Sequence, residues 1–201
     1  MTSEQTGNFT DPAAFSSNNV ASLDILSIND ATLFDIEQCR TIVDSCIAEL
    51  WLPTSSAANT SALHTSKRQK LRGDVEGFPF LNIRDVTKNA NTTIYDFNLI
   101  GIIDQDFPQV FSYSEGDFYN WHIDLSVAAP SRKLTFIINL SDPAECEGGE
   151  LEFLNVDTSQ SNTSAQGHCL VFPSYTPYRI TPVSKGHKHV IIGHVHGAVF
   201  K

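Results

Sequence analysis

The segment FSYSEGDFYNWHID, residues 111–124, carries Tyr113, Gly116, Tyr119, His122 and Asp124 in one register. Side chains along a strand repeat with period 2, so an imidazole and a carboxylate two residues apart face the same way. His122 and Asp124 are therefore candidates for two members of a 2-His-1-carboxylate facial set, the arrangement that holds Fe(II) and leaves positions open for other ligands. His-x-Asp alone is a weak signal. The two tyrosines and the glycine in front of it make the signal specific.

Outward from this segment the chain reads as mainly β. From about residue 78, short apolar and β-branched runs alternate with Gly, Pro, Asp, Asn and Ser: FPFLNI, TTIYDFNLIGII, QVFSY, YNWHIDL, KLTFIINL, GELEFL, HCLVFP, YRITPV and HVIIGHV. Many short strands with regular turn signals predict an antiparallel sandwich or barrel. Upstream, Leu33, Ile36, Cys39, Ile42, Val43, Cys46, Ile47, Leu50 and Trp51 follow helical spacing, which predicts a packing helix over 32–51, capped near Thr32 and Asp35 and ended by Pro53. Residues 53–77 read as a polar surface loop, and 157–166 as a flexible strand connection. Residues 1–29 read as a flexible extension, and 30–201 as a single domain with its barrel core at about 78–200.

The composition narrows the function. A formal net charge of −10 argues against nucleic acid or an anionic membrane as a general partner, since both need clustered positive charge. The one basic cluster, Lys67, Arg68, Lys70 and Arg72, reads as a solvated surface. No apolar run reaches membrane-spanning length, and the first residues lack the pattern of a secretory leader. Cys39, Cys46, Cys146 and Cys169 read as free thiols rather than a disulfide framework, and a cytoplasmic location follows as an expectation.

The motifs in order resemble the prolyl and lysyl hydroxylase class of iron(II)- and 2-oxoglutarate-dependent oxygenases. After FSYSEGDFYNWHID come RKLTFIINLSDP (132–143), EGGELEF (147–153), GHCLVFPS (167–174) and TPVSKGHK (181–188). The resemblance implies a double-stranded β-helix, a jelly-roll or cupin-like barrel with N-terminal packing helices. It implies Fe(II) and 2-oxoglutarate as cofactors and dioxygen as co-substrate, with ascorbate as a further candidate. It implies hydroxylation of a small molecule, an amino acid or a peptide through an Fe(IV)-oxo species. His122 and Asp124 match the first two iron ligands. Tyr113 matches the tyrosine that reaches the distal carboxylate of 2-oxoglutarate, and Lys188 the cation that pairs it. Gly148–Glu150 matches a tight turn beside the metal-bearing strand. Tyr119 and Trp121 are expected to line or buttress the pocket, with Tyr119 on the cofactor side. Arg132 is expected to hold the site or meet an anionic substrate.

The pattern breaks at the second histidine, which falls ten residues before Lys188, where this chain has Tyr178. Three readings stand. Tyr178 is itself the third ligand; or His194, in strand phase with Lys188 and His196, replaces it; or the site has two ligands only. His64, His168, His187 and His189 read as surface or core histidines. Beside the oxygenase stand two rivals: a barrel that binds a ligand without turnover, and a metalloenzyme that does not use 2-oxoglutarate. Substrate identity and oligomeric state are not encoded in any of these motifs.

Overall fold

The computed structural model describes residues 29–54, 63–155 and 164–200. Strand β1 (Asn29–Thr32) leads into helix α1 (Ile36–Asp44), then β2 (Leu52–Pro53), β3 (His64–Thr65), β4 (Lys67–Lys70) and helix α2 (Phe80–Ala90). The barrel follows: β5 (Leu99–Gly101), β6 (Gln109–Tyr113), β7 (Phe118–His122), β8 (Arg132–Asn139), β9 (Cys146–Gly148), β10 (Leu151–Phe153), β11 (His168–Pro173), β12 (Tyr178–Ile180), β13 (Val183–Gly186) and β14 (Lys188–Gly197). The larger sheet runs β1-β11-β8-β14-β6-β4-β2, with β5 on the far end of β14, and the smaller runs β10-β12-β7-β3. Strands β13 and β9 form a separate pair.

Alternation along the long strands divides the apolar residues between two cores. Leu134, Phe136 and Ile138 of β8, Cys169 and Val171 of β11, and Ile191 and Val195 of β14 face the helices, where Cys39, Ile42, Phe80, Ile83 and Ala90 cover them. Ile137, Leu170, Phe172, Val190 and Ile192 face the barrel interior with Tyr113 and Tyr178. Each fully buried side chain of this size contributes roughly 1.5–3 kcal/mol. At Gly193 any side chain would collide with the Phe136 ring, 2.3 Å from an added Cβ, so a residue without one is needed there.

Several boundaries differ from the sequence reading. The first helix is shorter than 32–51: it starts after Asp35, whose carboxylate accepts from the Gln38 N–H while Gln38 reaches back to the Asp35 N–H. Thr32 lies in β1, and the helix ends at Asp44, well before Pro53. FPFLNI, expected as a strand, opens helix α2, because Phe80, Ile83, Val86, Thr87 and Ala90 recur at helical spacing and bury one face. TTIYDFNLIGII is split between a wide turn at Asn91–Tyr95 and the short β5. The polar stretch 53–77 is not all loop, since β3 and β4 join the edges of the two sheets. The expected tail and most of the 157–166 connection lie outside the described residues. All four cysteines are free thiols.

Candidate active site

The site begins with a kink in β7. Against β12, Tyr178 pairs with His122 and Ile180 pairs with Tyr119, so two steps on one strand oppose three on the other. This bulge brings Tyr119 and His122 onto one side, with ring centroids 3.5 Å apart and planes within 14°. It also turns Trp121 outward, where Arg179 covers its ring at 4.9 Å; Trp121 buttresses the outside of the sheet and does not line the pocket.

His122 is oriented through its other nitrogen. Nδ1 donates to the Asn120 carbonyl at 2.7 Å, which leaves Nε2 as a bare acceptor. Nε2 is buried without a hydrogen-bond partner and lies 3.6 Å from Asp124 Oδ1. Burial holds this imidazole below its usual pKa, so it stays neutral. Asp124 is anchored by its backbone N–H to Ser174 O at 2.9 Å, and its Oδ2 accepts from Thr135 Oγ1 at 2.8 Å. Against the penalty of burial, His194, His122 and Thr135 hold its carboxyl at about 2.

Two more buried polar atoms close on the same carboxylate. Tyr178, fully buried and 4.2 Å from the His122 ring, has an unpartnered hydroxyl, which burial and then Asp124 push well above the ordinary phenol value. His194 Nε2 lies 3.5 Å from Asp124 Oδ2 and is also unpartnered. His194 Nδ1 is 3.1 Å from Asp106, and despite burial its bond to Asp106 and the nearby Asp124 carboxylate raise its pKa. Asp106 is a hub: Arg132 donates to both its oxygens at 2.7 and 2.8 Å, and His196 Nε2 lies 3.0 Å from Oδ2. A register shift between Val195 and His196 draws His196 to that hub. Arg132 therefore holds the site through Asp106 and through the Asp124 carbonyl at 3.2 Å.

Among the described residues no group of three His, Cys, Asp or Glu side chains stands ready to hold a metal ion, while His122 Nε2 and His194 Nε2 lie 3.6 and 3.5 Å from the two oxygens of Asp124. The group fits a divalent metal: His122 Nε2, His194 Nε2 and the Tyr178 hydroxyl are buried without partners around an ionised carboxylate, and each of the three lacks a bond that a cation would supply.

A second, cationic element lies deeper in the barrel. Lys188 faces Tyr113 in the register of β14 against β6 and is buried, with no carboxylate at ion-pair distance among the described residues. Burial lowers its pKa, opposed by Cys146 and Glu150. Gly149, at φ +63°, lies against its stem: an added Cβ would stand 2.8 Å from Lys188 Cδ. The GGE turn thus supports the Lys188 stem. A buried, unpaired cation beside a phenol fits a carboxylate ligand.

One residue carries more than the sequence suggested. His64, read as a surface or core histidine, is buried in β3, where it pairs with Tyr119 and stacks on its ring at 3.7 Å and 5°. Its Nε2 lies 3.0 Å from Tyr113 Oη, and burial first, then His122 and Arg68, push its pKa down to about 3. Nothing in a short polar stretch flags such a histidine, because its contacts come from a strand about 55 residues away. Beside Asp124 and Tyr119 lies a cavity of about 170 Å³ lined by His64, Arg68, Gln109, Phe111, Arg132 and His194, among others, whereas the space beside Lys188 is only about 10 Å³.

Comparison with known proteins addresses the family and the fold. Residues 108–196 match the family model of the 2OG-Fe(II) oxygenase superfamily. A PKHD-type hydroxylase of Hyphomonas neptunium is 34% identical over 97 residues, 46% of this chain and 43% of the relative. One of Shewanella sp. (strain ANA-3) is 30% identical over 162 residues, 78% of this chain and 71% of the relative. The chain thus spans less than half the length of the first of these relatives. A crystal structure of a Pseudomonas putida prolyl-4-hydroxylase superposes with a TM-score of 0.67 over 89% of this chain and 97% of that one, at 15% identity, a likeness of fold.

Proposed function

The chain belongs to the 2OG-Fe(II) oxygenase superfamily, with PKHD-type hydroxylases as relatives, and on that premise we propose that it is an Fe(II)- and 2-oxoglutarate-dependent dioxygenase that hydroxylates a small-molecule, amino-acid or peptide substrate. The observation that carries this reading is the convergence of unpartnered His122 Nε2 and Tyr178 Oη on the Asp124 carboxylate. In it, His122 and Asp124 hold the metal, and Tyr178 fills the place of the third ligand. Fe(II) with 2-oxoglutarate and dioxygen supplies the oxidant for C–H hydroxylation.

The chain's own residues do the rest. Asn120 O fixes the His122 tautomer, and Thr135 orients Asp124. Lys188 and Tyr113 take the distal carboxylate of 2-oxoglutarate, Lys188 by charge and Tyr113 by its hydroxyl. Tyr119 packs between His64 and His122 and keeps water from the imidazole face. The cavity bearing Arg68 and Arg132 admits the substrate. Ascorbate is the candidate reductant. No helix among the described residues is long and apolar enough to cross a membrane, and we place the activity in the cytoplasm.

A second reading, a binding protein without turnover, draws on Tyr178 in place of an imidazole and on the closed space beside Lys188. Anaerobic titration with Fe(II) and then 2-oxoglutarate, followed by succinate release on admitting oxygen, tests both. Iron uptake with a new visible band on adding 2-oxoglutarate, and succinate on oxygenation, are expected. Failure to take up iron sinks the oxygenase reading in favour of the second.

A further inference from the structure

We propose that His64 is a positioning residue that donates a hydrogen bond to the Tyr113 oxygen and so leaves the Tyr113 hydroxyl proton free for the distal carboxylate of 2-oxoglutarate. The inference rests on the function proposed above, in which Tyr113 and Lys188 receive that carboxylate.

The direction of the hydrogen bonds can be followed from the edge of the sheet inward. Thr54 Oγ1 donates to the Ser66 carbonyl at 3.2 Å. The Ser66 hydroxyl donates to Thr54 Oγ1 at 3.2 Å, and a hydroxyl has one proton to give. The contact of Ser66 Oγ with His64 Nε2, 3.0 Å, is then one in which Ser66 accepts, so Nε2 carries the proton of the imidazole. The same Nε2 lies 3.0 Å from Tyr113 Oη. That single N–H is shared between Ser66 Oγ and Tyr113 Oη, both 3.0 Å away, so Tyr113 is an acceptor toward His64 and keeps its own O–H for another partner. With the opposite tautomer Tyr113 would give its proton to His64 and have none left for an anion.

The placement of His64 is rigid. Its ring is stacked on Tyr119 at 3.7 Å, and Tyr119 is stacked on His122 at 3.5 Å, so the imidazole cannot swing away from Tyr113 without breaking the column. Tyr113 in turn faces Lys188 across β6 and β14. The phenol donor and the ammonium are thus presented together, one oriented by His64 and the other by Gly149.

The test compares His64→Gln, whose amide N–H occupies the place of Nε2, with His64→Asn, whose shorter amide stops before Tyr113. Dissociation constants are measured anaerobically on the Fe(II)-loaded protein for 2-oxoglutarate and for pyruvate, a 2-oxo acid without the distal carboxylate. His64→Asn is expected to weaken 2-oxoglutarate about 10-fold, as the loss of one hydrogen bond to a charged group does, and to leave pyruvate unchanged. His64→Gln is expected to stay within about 3-fold of wild type for both. Equal weakening of both acids in His64→Asn would mean a structural role and overturn the proposal, as would unchanged 2-oxoglutarate binding. Wild type that binds neither acid would overturn the function on which the inference rests, and the inference with it.

Discussion

Tyr178 stands directly opposite His122 in the pairing of β12 with β7, and its ring lies 4.2 Å from the imidazole. In the proposed site Tyr178 occupies the place of a third metal ligand, since the strand pairing brings it to the same space as the His122 ring. A protonated phenol is a poor donor to a divalent ion, whereas a neutral imidazole is a good one. Tyr178→His is expected to tighten Fe(II) binding at least about 10-fold. Tyr178→Phe is expected to change it by less than about 3-fold. Anaerobic competition with a chromophoric chelator measures both. A large loss in Tyr178→Phe would instead make the phenol a true ligand.

The Gly149 backbone decides where the Lys188 ammonium sits. At φ +63° a side chain is strained whatever the space, and here an added Cβ would also press on Lys188 Cδ and on Val183. Gly149→Ala is expected to lower stability by about 1–3 kcal/mol in urea unfolding and to weaken 2-oxoglutarate about 10-fold by shifting the ammonium. Gly116, at φ +84° with open space around it, is the comparison: Gly116→Ala is expected to cost stability only. Unchanged co-substrate affinity in Gly149→Ala would separate the turn from the Lys188 site.

Asp106 joins Arg132, His194 and His196 in one partly buried network. Against desolvation, its bonds to His194 and Arg132 hold its carboxyl far below the usual range. A carboxyl depressed in the folded state contributes stability at neutral pH, and that contribution fades as pH falls below the unfolded value of about 4. Asp106→Asn is expected to cost about 2 kcal/mol at pH 7 and to show a shallower loss of stability than wild type between about pH 4 and 2. Chemical unfolding at several pH values gives the slope. Parallel slopes would mean that other carboxylates carry the acid sensitivity.

The barrel, and the proximity of His122 to Asp124, could be read from sequence because both depend on local periodicity. His122 and Asp124 are two apart, and the β8, β11 and β14 runs alternate cleanly between two apolar cores. Lys188 was singled out by the family resemblance of TPVSKGHK, and His194 by sharing its strand phase. His64 and Asp106 were missed for the opposite reason: each is a polar residue in a short segment, and its partners lie on distant strands. The bulge in β7 was equally hidden, since a three-against-two step reflects the partner strand, and it moved Trp121 outward while keeping Tyr119 inside. Helix α2 was mistaken for a strand because FPFLNI is too short to reveal period 3.6 without the Val86, Thr87 and Ala90 that follow.

Cys39 gives a test of the helix-side core that is independent of the active site. It is completely buried beneath α1, and burial first, then Asp35, push its thiol up to about 11. In the unfolded chain a thiol loses its proton near pH 8.5–9, as a general reference value. Between that value and 11 the folded state therefore holds a proton that the unfolded state has released, and stability must fall as pH rises. The contribution is fully present at neutral pH and is lost through the folded value. Cys46, Cys146 and Cys169 are raised in the same direction, so the informative quantity is the difference between wild type and Cys39→Ala. Wild type is expected to lose about 2 kcal/mol more than the variant between pH 8 and 11, read from urea midpoints at constant ionic strength. Identical pH slopes in the two proteins would mean that the Cys39 thiol reaches solvent in the folded state and that α1 does not seal this face of the larger sheet.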